Sequence, residues 1–325
     1  MILQDRDGSH GAEINKLRKE INVLLDSEET MWSQRSKAHW LKEGDHNTKI
    51  FRYHASERRR KNSINGILDA NGRWCETNES IVATAVSFFE DLYTTSHPSR
   101  IHEVISSIPT RVTWDMNQQL IKEFTSEEVL MALQQMHPTK SPKPDDMSAI
   151  FYKKYWSIVG NDVTKMALNV LNSNMSMVEI NKTNITHVPK VKHPSKMSEF
   201  RPISLCNVAY KLIAKVLVNR LKAILPCIIL ENQSTFLFER LIIDNVLIAF
   251  EIMHYLNNKR DGKDNFMSIK LDMSKAFNRV EWGFVKAVME KLGFHEKWIS
   301  LIMHCITTVS YSVIINGVAH GCIVP

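Results

Sequence analysis

The chain lacks the marks of several large protein classes. Its five cysteines, Cys75, Cys206, Cys227, Cys305 and Cys322, stand apart and form no Cys-x-x-Cys pair. An odd, scattered set argues for a reducing compartment and against a disulfide framework or a zinc ribbon. His304, Cys305, His320 and Cys322 lie loosely together near the end, at a spacing that fits no zinc template. Apolar stretches such as AILPCIIL (Ala223 to Leu230) are far too short to cross a bilayer. The opening MILQDRDGSH has no apolar segment of a signal peptide. An intracellular protein, nuclear or cytoplasmic, is therefore expected. Patterns of the type G-x-S-x-G, G-x-G-x-x-G and the P-loop are also missing, which leaves hydrolase, dinucleotide-dependent and P-loop chemistry without support.

What is present is an ordinary globular composition. Over 325 residues, 44% are hydrophobic and 23% charged, which suffices for two domains. Thirteen Phe and seven Trp provide bulk for real cores. The net charge of +6 permits nucleic-acid binding without requiring it.

The hydrophobic pattern predicts a helix over 11–37, with Ile14, Leu17, Ile21 and Leu24 at heptad spacing. A cationic stretch with interleaved aromatics follows: Trp32, Arg35, Trp40, Lys49, Phe51, Arg52, Tyr53, then Arg58, Arg59, Arg60 and Lys61. Cations meet phosphates and rings stack on bases, so this stretch reads as a nucleic-acid surface or, equally, as a solvated basic helix face. Residues 64–74 read as a hairpin, with Asn71-Gly72 as a type I′ turn. A helix is expected over 79–93. Thr125 and Glu128 form a capping box ahead of Val129, Leu133 and Met136 on one helix face.

The proline-rich loop PTKSPKPDD (Pro138 to Asp146) marks a boundary. Two helices follow, over 147–158 and 162–173, split at Gly160. A strand over 182–188 leads to Pro189-Lys190. Asn207 caps a long helix that Pro226 closes, with Lys211, Lys215, Arg220 and Lys222 giving it a basic side. Another helix covers 243–258. FMSIKLD (Phe266 to Asp272) reads as a buried strand that delivers an acid to its end. Helices over 281–292, ending at Gly293, and 296–306 precede a strand over 310–315, an Asn316-Gly317 type I′ turn and a return strand. Helices around a sheet of this kind make the chain α+β.

One place could host chemistry. In KLDMSKAFNRVEW (Lys270 to Trp282), Asp272 at a strand end could hold a hard cation such as Mg²⁺, or simply cap a turn. The surrounding blocks carry a resemblance. MWSQRSKAHWLKEGDHNTKIFRYHASERRRKNSI, FFEDLY, FTSEEV, SPKPDDMSAIFYKKYW, VPK, FRPISLCNVAYKLIAKVLVNRLK, NQSTFLFERLIIDN and LDMSKAFNRVEW occur in this order. They resemble successive blocks of the reverse transcriptase segment of plant LINE-type (non-LTR) retrotransposons, and the likeness runs from about residue 20 to the end.

That resemblance implies a partial right-hand polymerase, fingers and an incomplete palm, preceded by a mostly helical N-terminal extension. The implied divisions are 1–137 for the helical linker, 138–181 for the loop and helices leading into the fingers, and 182–325 for the fingers and the start of the palm. Asp272 corresponds to the first catalytic, metal-binding aspartate, and Phe277 to the aromatic gate on the incoming sugar. Arg201 and Arg240 fall in finger blocks that meet template and triphosphate, where positive charge suits a concentrated anion. Arg58, Arg59, Arg60, Lys61, Lys211 and Lys215 are the nucleic-acid-binding candidates. Mg²⁺ or Mn²⁺ is the implied cofactor; the implied partners are an RNA template, a DNA primer and deoxynucleoside triphosphates.

Departures from the family pattern matter too. Phe238-Glu239-Arg240 replaces "PGR", Asn278 stands where Asp is usual, and Lys143 and Asp146 replace glycines. The later family blocks, a glutamine-bearing turn and a turn with two adjacent aspartates, do not follow. An isolated chain without polymerase activity is therefore expected, with a non-catalytic nucleic-acid-binding relic as the alternative reading.

Overall fold

The computed structural model describes residues 11–36, 48–138, 145, 147–233, 237, 240–259, 266–272 and 279–325. They divide into two compact units. The first combines the N-terminal 77 residues with His187–Arg201 and Ile315–Val318; the second holds the remainder.

In the first unit, α1 (Gly11–Ser36) packs against α2 (Thr48–Asn62). Arg52 ties the pair together: its guanidinium lies 5.3 Å from the Trp32 ring and forms an ion pair with Glu28. Two short antiparallel strands follow, β1 (Ile67–Leu68) and β2 (Trp74–Cys75), with Leu68 opposite Trp74. The expected hairpin forms, but its turn is not type I′. Gly72 alone has positive φ (77°), whereas Asn71 does not. The reason is local: the Asp69 carboxylate accepts hydrogen bonds from the Asn71 and Arg73 amides at 2.9 and 2.8 Å, and the Gly72 amide donates to the Asp69 carbonyl. This is a turn led by Asp69 with a glycine in the left-handed region after it.

Beyond Thr77, helices α3 (Asn78–Tyr93), α4 (Ile101–Ser106), α5 (Trp114–Ile121), α6 (Ser126–Gln134), α7 (Ala149–Lys154) and α8 (Trp156–Ser173) lead to strand β3 (Lys182–Pro189). Strand β4 (Phe200–Cys206) and the long helix α9 (Val208–Ile228) come next. Then follow α10 (Ile242–Asn258), α11 (Trp282–Leu292), α12 (Glu296–Thr307), β5 (Ser310–Ile315) and β6 (Val318–Ile323). The four-stranded sheet has the order β4-β3-β5-β6. β3 and β5 run parallel, with Lys182 opposite Ser310 and Ile185 opposite Val313. Parallel neighbours need a long crossover, and here the helices between them supply it. The core gathers Leu133, Leu171, Leu212, Ile213, Leu217 and Trp298 between α6, α8, α9 and α12. Their spacing along each helix places them on one stripe.

Three further sequence expectations are corrected. Gly160 does not split two helices; it is buried inside α8, and the break falls at Tyr155 instead. A Cβ at Gly160 would sit 2.7 Å from the Trp156 ring, so the glycine is there to seat an indole. Pro226 does not end α9, which continues to Ile228. A proline near the last turn removes one amide donor, and the Ile229 amide still reaches the Leu225 carbonyl. Residues 266–272 are not a buried strand. Phe266, Met267, Ile269 and Leu271 are exposed, and no strand is formed there. Alternating apolar residues make a strand only where a neighbouring edge accepts their backbone bonds, and no described strand does.

Candidate nucleic-acid interface

The basic residues separate by unit. Residues 48–77 and 187–201 of the first unit carry eleven Lys and Arg against four Asp and Glu. Within α2, Arg59, Arg60 and Lys61 fall in the last turn, where the helix dipole favours cations. All three are exposed, as is Arg58. Lys61 also pairs with Glu57 one turn earlier at 3.1 Å. The connection between β3 and β4 contributes Lys190, Lys192, His193 and Lys196, all exposed, and Arg201 follows on β4.

That connection has a built shape. The Glu199 carboxylate accepts from the Ser195 amide at 2.6 Å and from the Lys196 amide at 3.3 Å. Chiefly the Ser195 bond holds the Glu199 carboxyl below the usual range. The Leu68 amide donates to the Ser195 carbonyl at 2.7 Å, tying hairpin β1–β2 to the lysine-bearing loop. Tyr53 and Trp74 in the same unit expose 64% and 51% of their surface. Cations on a pinned loop and exposed rings in the same unit are the materials for phosphate contact and base stacking.

In the second unit the candidates fare differently. Arg240 donates through one guanidinium nitrogen to the carbonyls of Leu230, Glu231 and Gln233 at 2.7, 3.1 and 2.7 Å. In this structure it holds the turn after α9 together. Lys211 and Lys215 are half-buried on α9, and burial, then the neighbouring Lys222, pushes the Lys215 ammonium below its ordinary value. Asp272 is exposed at the end of 266–272. Phe277 and Asn278 lie outside the described residues.

Paired metals of nucleotidyl transfer need more than one carboxylate. Among the described residues, no group of three His, Cys, Asp or Glu side chains is placed to hold a metal ion.

Two arrangements escaped the sequence reading. Arg220 grips Glu128 at 2.7 and 2.8 Å and also reaches the carbonyls of Leu120, Lys122 and Glu123. Glu281, just ahead of α11, accepts from the Thr95 hydroxyl at 2.7 Å and from the Ser96 amide and hydroxyl at 3.0 Å. The Thr95 hydroxyl first, then the Ser96 amide, lowers the Glu281 carboxyl. Neither had a local signal, because each pairs residues far apart in the chain. The lysines of the β3–β4 connection were visible in the sequence, but not that they belong with α2.

Among the described residues, no helix is long and apolar enough to cross a membrane. Residues 180–324 match the family described as reverse transcriptase (RNA-dependent DNA polymerase). Over 301 residues the chain is 24% identical to the "Transposon TX1 uncharacterized 149 kDa protein" of Xenopus laevis, a match that takes in 89% of this chain and 23% of that relative. The chain thus spans less than a quarter of that relative's length. That relative comes from a frog, so this likeness does not support a plant origin. Within this α+β architecture, residues 180–324 are thus similar to the reverse transcriptase family, and helices precede that region.

Proposed function

We propose that this chain serves RNA-directed DNA synthesis by a LINE-type, non-LTR retrotransposon, and that its own contribution is to hold nucleic acid. In this reading residues 1–137 are the linker, 138–181 lead into the fingers, and 182–325 are fingers and the start of a palm. The partners are an RNA template, a DNA primer and deoxynucleoside triphosphates. Asp272 supplies one carboxylate toward Mg²⁺ or Mn²⁺, Phe277 screens the incoming sugar, and Arg201 faces the triphosphate path. The order of the sequence blocks, from the linker to LDMSKAFNRVEW, is what suggests the plant branch of the family.

The observation that carries the nucleic-acid reading is the concentration of cations in residues 48–77 and 187–201, with Tyr53 and Trp74 exposed in the same unit. Each phosphate contact releases counterions, so binding should weaken steeply with salt. The test is fluorescence anisotropy with a labelled single-stranded RNA across a salt series. Replacing Arg59, Arg60 and Lys61 by Ala should lower the salt slope by roughly one for each phosphate no longer neutralised. Unchanged affinity and slope would remove the reading. A primer-extension assay decides between enzyme and relic. Incorporation that requires Mg²⁺ or Mn²⁺ and vanishes in Asp272→Ala would make the chain a polymerase in its own right. RNA binding without incorporation is the result expected. Because Asp272 is exposed, the substitution should leave folding unchanged and so report on chemistry alone.

A further inference from the structure

Trp74 leaves half of its surface in water, but one side of its ring is seated. A Cβ built on Gly66 would fall 2.4 Å from Cζ2, 2.7 Å from Cε2 and 3.0 Å from Nε1 of the indole, so that edge rests on backbone which only a glycine leaves clear. The ladder of β1 and β2 puts the ring there. Ile67, opposite Cys75, is fully buried; Leu68 and Trp74, opposite each other and one residue on, point to the other face. A leucine at 74 would cover Gly66 with less apolar surface left in water. The ladder also brings cations near. Leu68, the cross-strand neighbour of Trp74, donates its amide to the Ser195 carbonyl at 2.7 Å. Neighbouring strand rows lie about 4.8 Å apart, so the backbone at Ser195 and Lys196 runs roughly 10 Å from that of Trp74. In that loop the Glu199 carboxylate is turned to the Ser195 and Lys196 amides, and the Lys190 ammonium donates to the Ser198 carbonyl at 2.9 Å. Lys192 and Lys196 are exposed.

We propose that Trp74 is a stacking platform for one unpaired base of RNA, with Lys192 and Lys196 on the phosphates that flank it. The proposal rests on the nucleic-acid reading above and adds which form of RNA the first unit takes: a single strand, not a duplex. Phosphate contacts alone make no such choice, because both forms present a charged backbone. A base inside a duplex has its faces covered by its neighbours, so an indole reaches only a base that has left the stack. An aromatic ring held on one side and open on the other is what that step requires, and it tolerates any base because every base has a π-face.

The test uses the full 325-residue chain and fluorescence anisotropy with a labelled oligouridylate, alone and annealed to oligoadenylate. The single strand should bind more tightly than the duplex. Trp74→Leu keeps apolar cover over Gly66 and removes the flat ring; it should weaken single-strand binding roughly tenfold while leaving the salt slope and duplex binding as in the wild type. Trp74→Phe should retain most of the affinity. A readout on the wild type needs no variant to fold: irradiation with bromouridine-substituted RNA should join the base to Trp74, as mapped by mass spectrometry. Trp74→Leu binding like the wild type, a crosslink that falls only on other residues, or a duplex bound as well as the single strand each overturns the platform. If binding is still steeply salt-dependent in that event, the platform alone falls and the nucleic-acid reading stands. A wild type that binds no RNA removes both.

Discussion

The Arg220 guanidinium lies 3.5 Å from the centre of the Phe124 ring while two of its nitrogens grip the Glu128 carboxylate. One side chain of α9 thereby stacks on the loop before α6 and pins the first turn of that helix. Its side chain is only 10% exposed. Replacing it by Met would keep most of the stem's packing but leave Glu128 with only the Thr125 amide and take their Arg220 donor from the carbonyls of Leu120 and Glu123. The expected loss is about 2–4 kcal/mol, below the range for a fully buried pair because Glu128 is partly exposed. Urea unfolding would read it directly, and Arg220→Lys should recover only part, since an ammonium cannot form the fork.

Acid should find the same cluster. Burial opposes ionisation of Glu128, but the Arg220 hydrogen bonds, the Thr125 amide and the nearby positive charges outweigh it and hold the carboxyl below its ordinary value. A carboxyl depressed in the folded state stabilises fully above its unfolded pKa of about 4.3 and loses that contribution as pH falls through the folded value. Stability measured by urea midpoint should therefore be flat toward neutral pH and decline below about pH 4. In Arg220→Met the acid-side decline should be shallower; an identical decline would separate Glu128 from the effect.

Gly293 closes α11 with φ of 91°, and its amide bonds back to the helix. A Cβ there would meet Thr110 Cγ2 at 2.7 Å and the Val112 carbonyl oxygen at 3.3 Å. Gly293→Ala combines left-handed strain with crowding and should lower stability by about 1–2 kcal/mol. Thermal unfolding checks this, and Gly283→Ala is the control, because a Cβ at Gly283 meets nothing within 4 Å and improves helix propensity.

Asn316 adopts φ of 51° and spends its side chain on the first unit's own chain: Oδ1 accepts from the Ile64 amide at 2.9 Å and Nδ2 donates to the Ile64 carbonyl at 3.0 Å. Asn316→Ala should cost about 1–2 kcal/mol, from strain and from the absence of those two bonds. Asn316→Gly would keep the backbone geometry, so the difference between the two variants isolates the strain. Equal losses would mean that the hydrogen bonds carry the whole effect.

These residues also show what could be read in advance. Gly293 and Asn316-Gly317 were legible because a positive φ is a demand on one residue, met by a short list of amino acids. The Thr125–Glu128 pairing was legible because both partners lie within one turn. The helices were legible from their apolar spacing. What stayed hidden depends on distant partners. Gly160 was read as a break because nothing nearby reveals that the Trp156 ring needs its surface. Asn71-Gly72 suggested the wrong turn because the Asp69 carboxylate took charge of it. That Arg240 bonds to the carbonyls of Leu230, Glu231 and Gln233 was likewise not visible. The stretch 266–272 has the alternation of a strand, but alternation does not supply a neighbour.

The parallel pairing of β3 with β5 has a consequence for how the protein is made. Asn181, at the foot of β3, bonds through its side chain to the Cys305 carbonyl, 124 residues further along. A ribosome adding some 5–20 residues per second takes on the order of ten seconds to deliver that partner. During that interval the edge of β3 that β5 will pair emerges open, a period of vulnerability to misassociation that a holding chaperone would shorten.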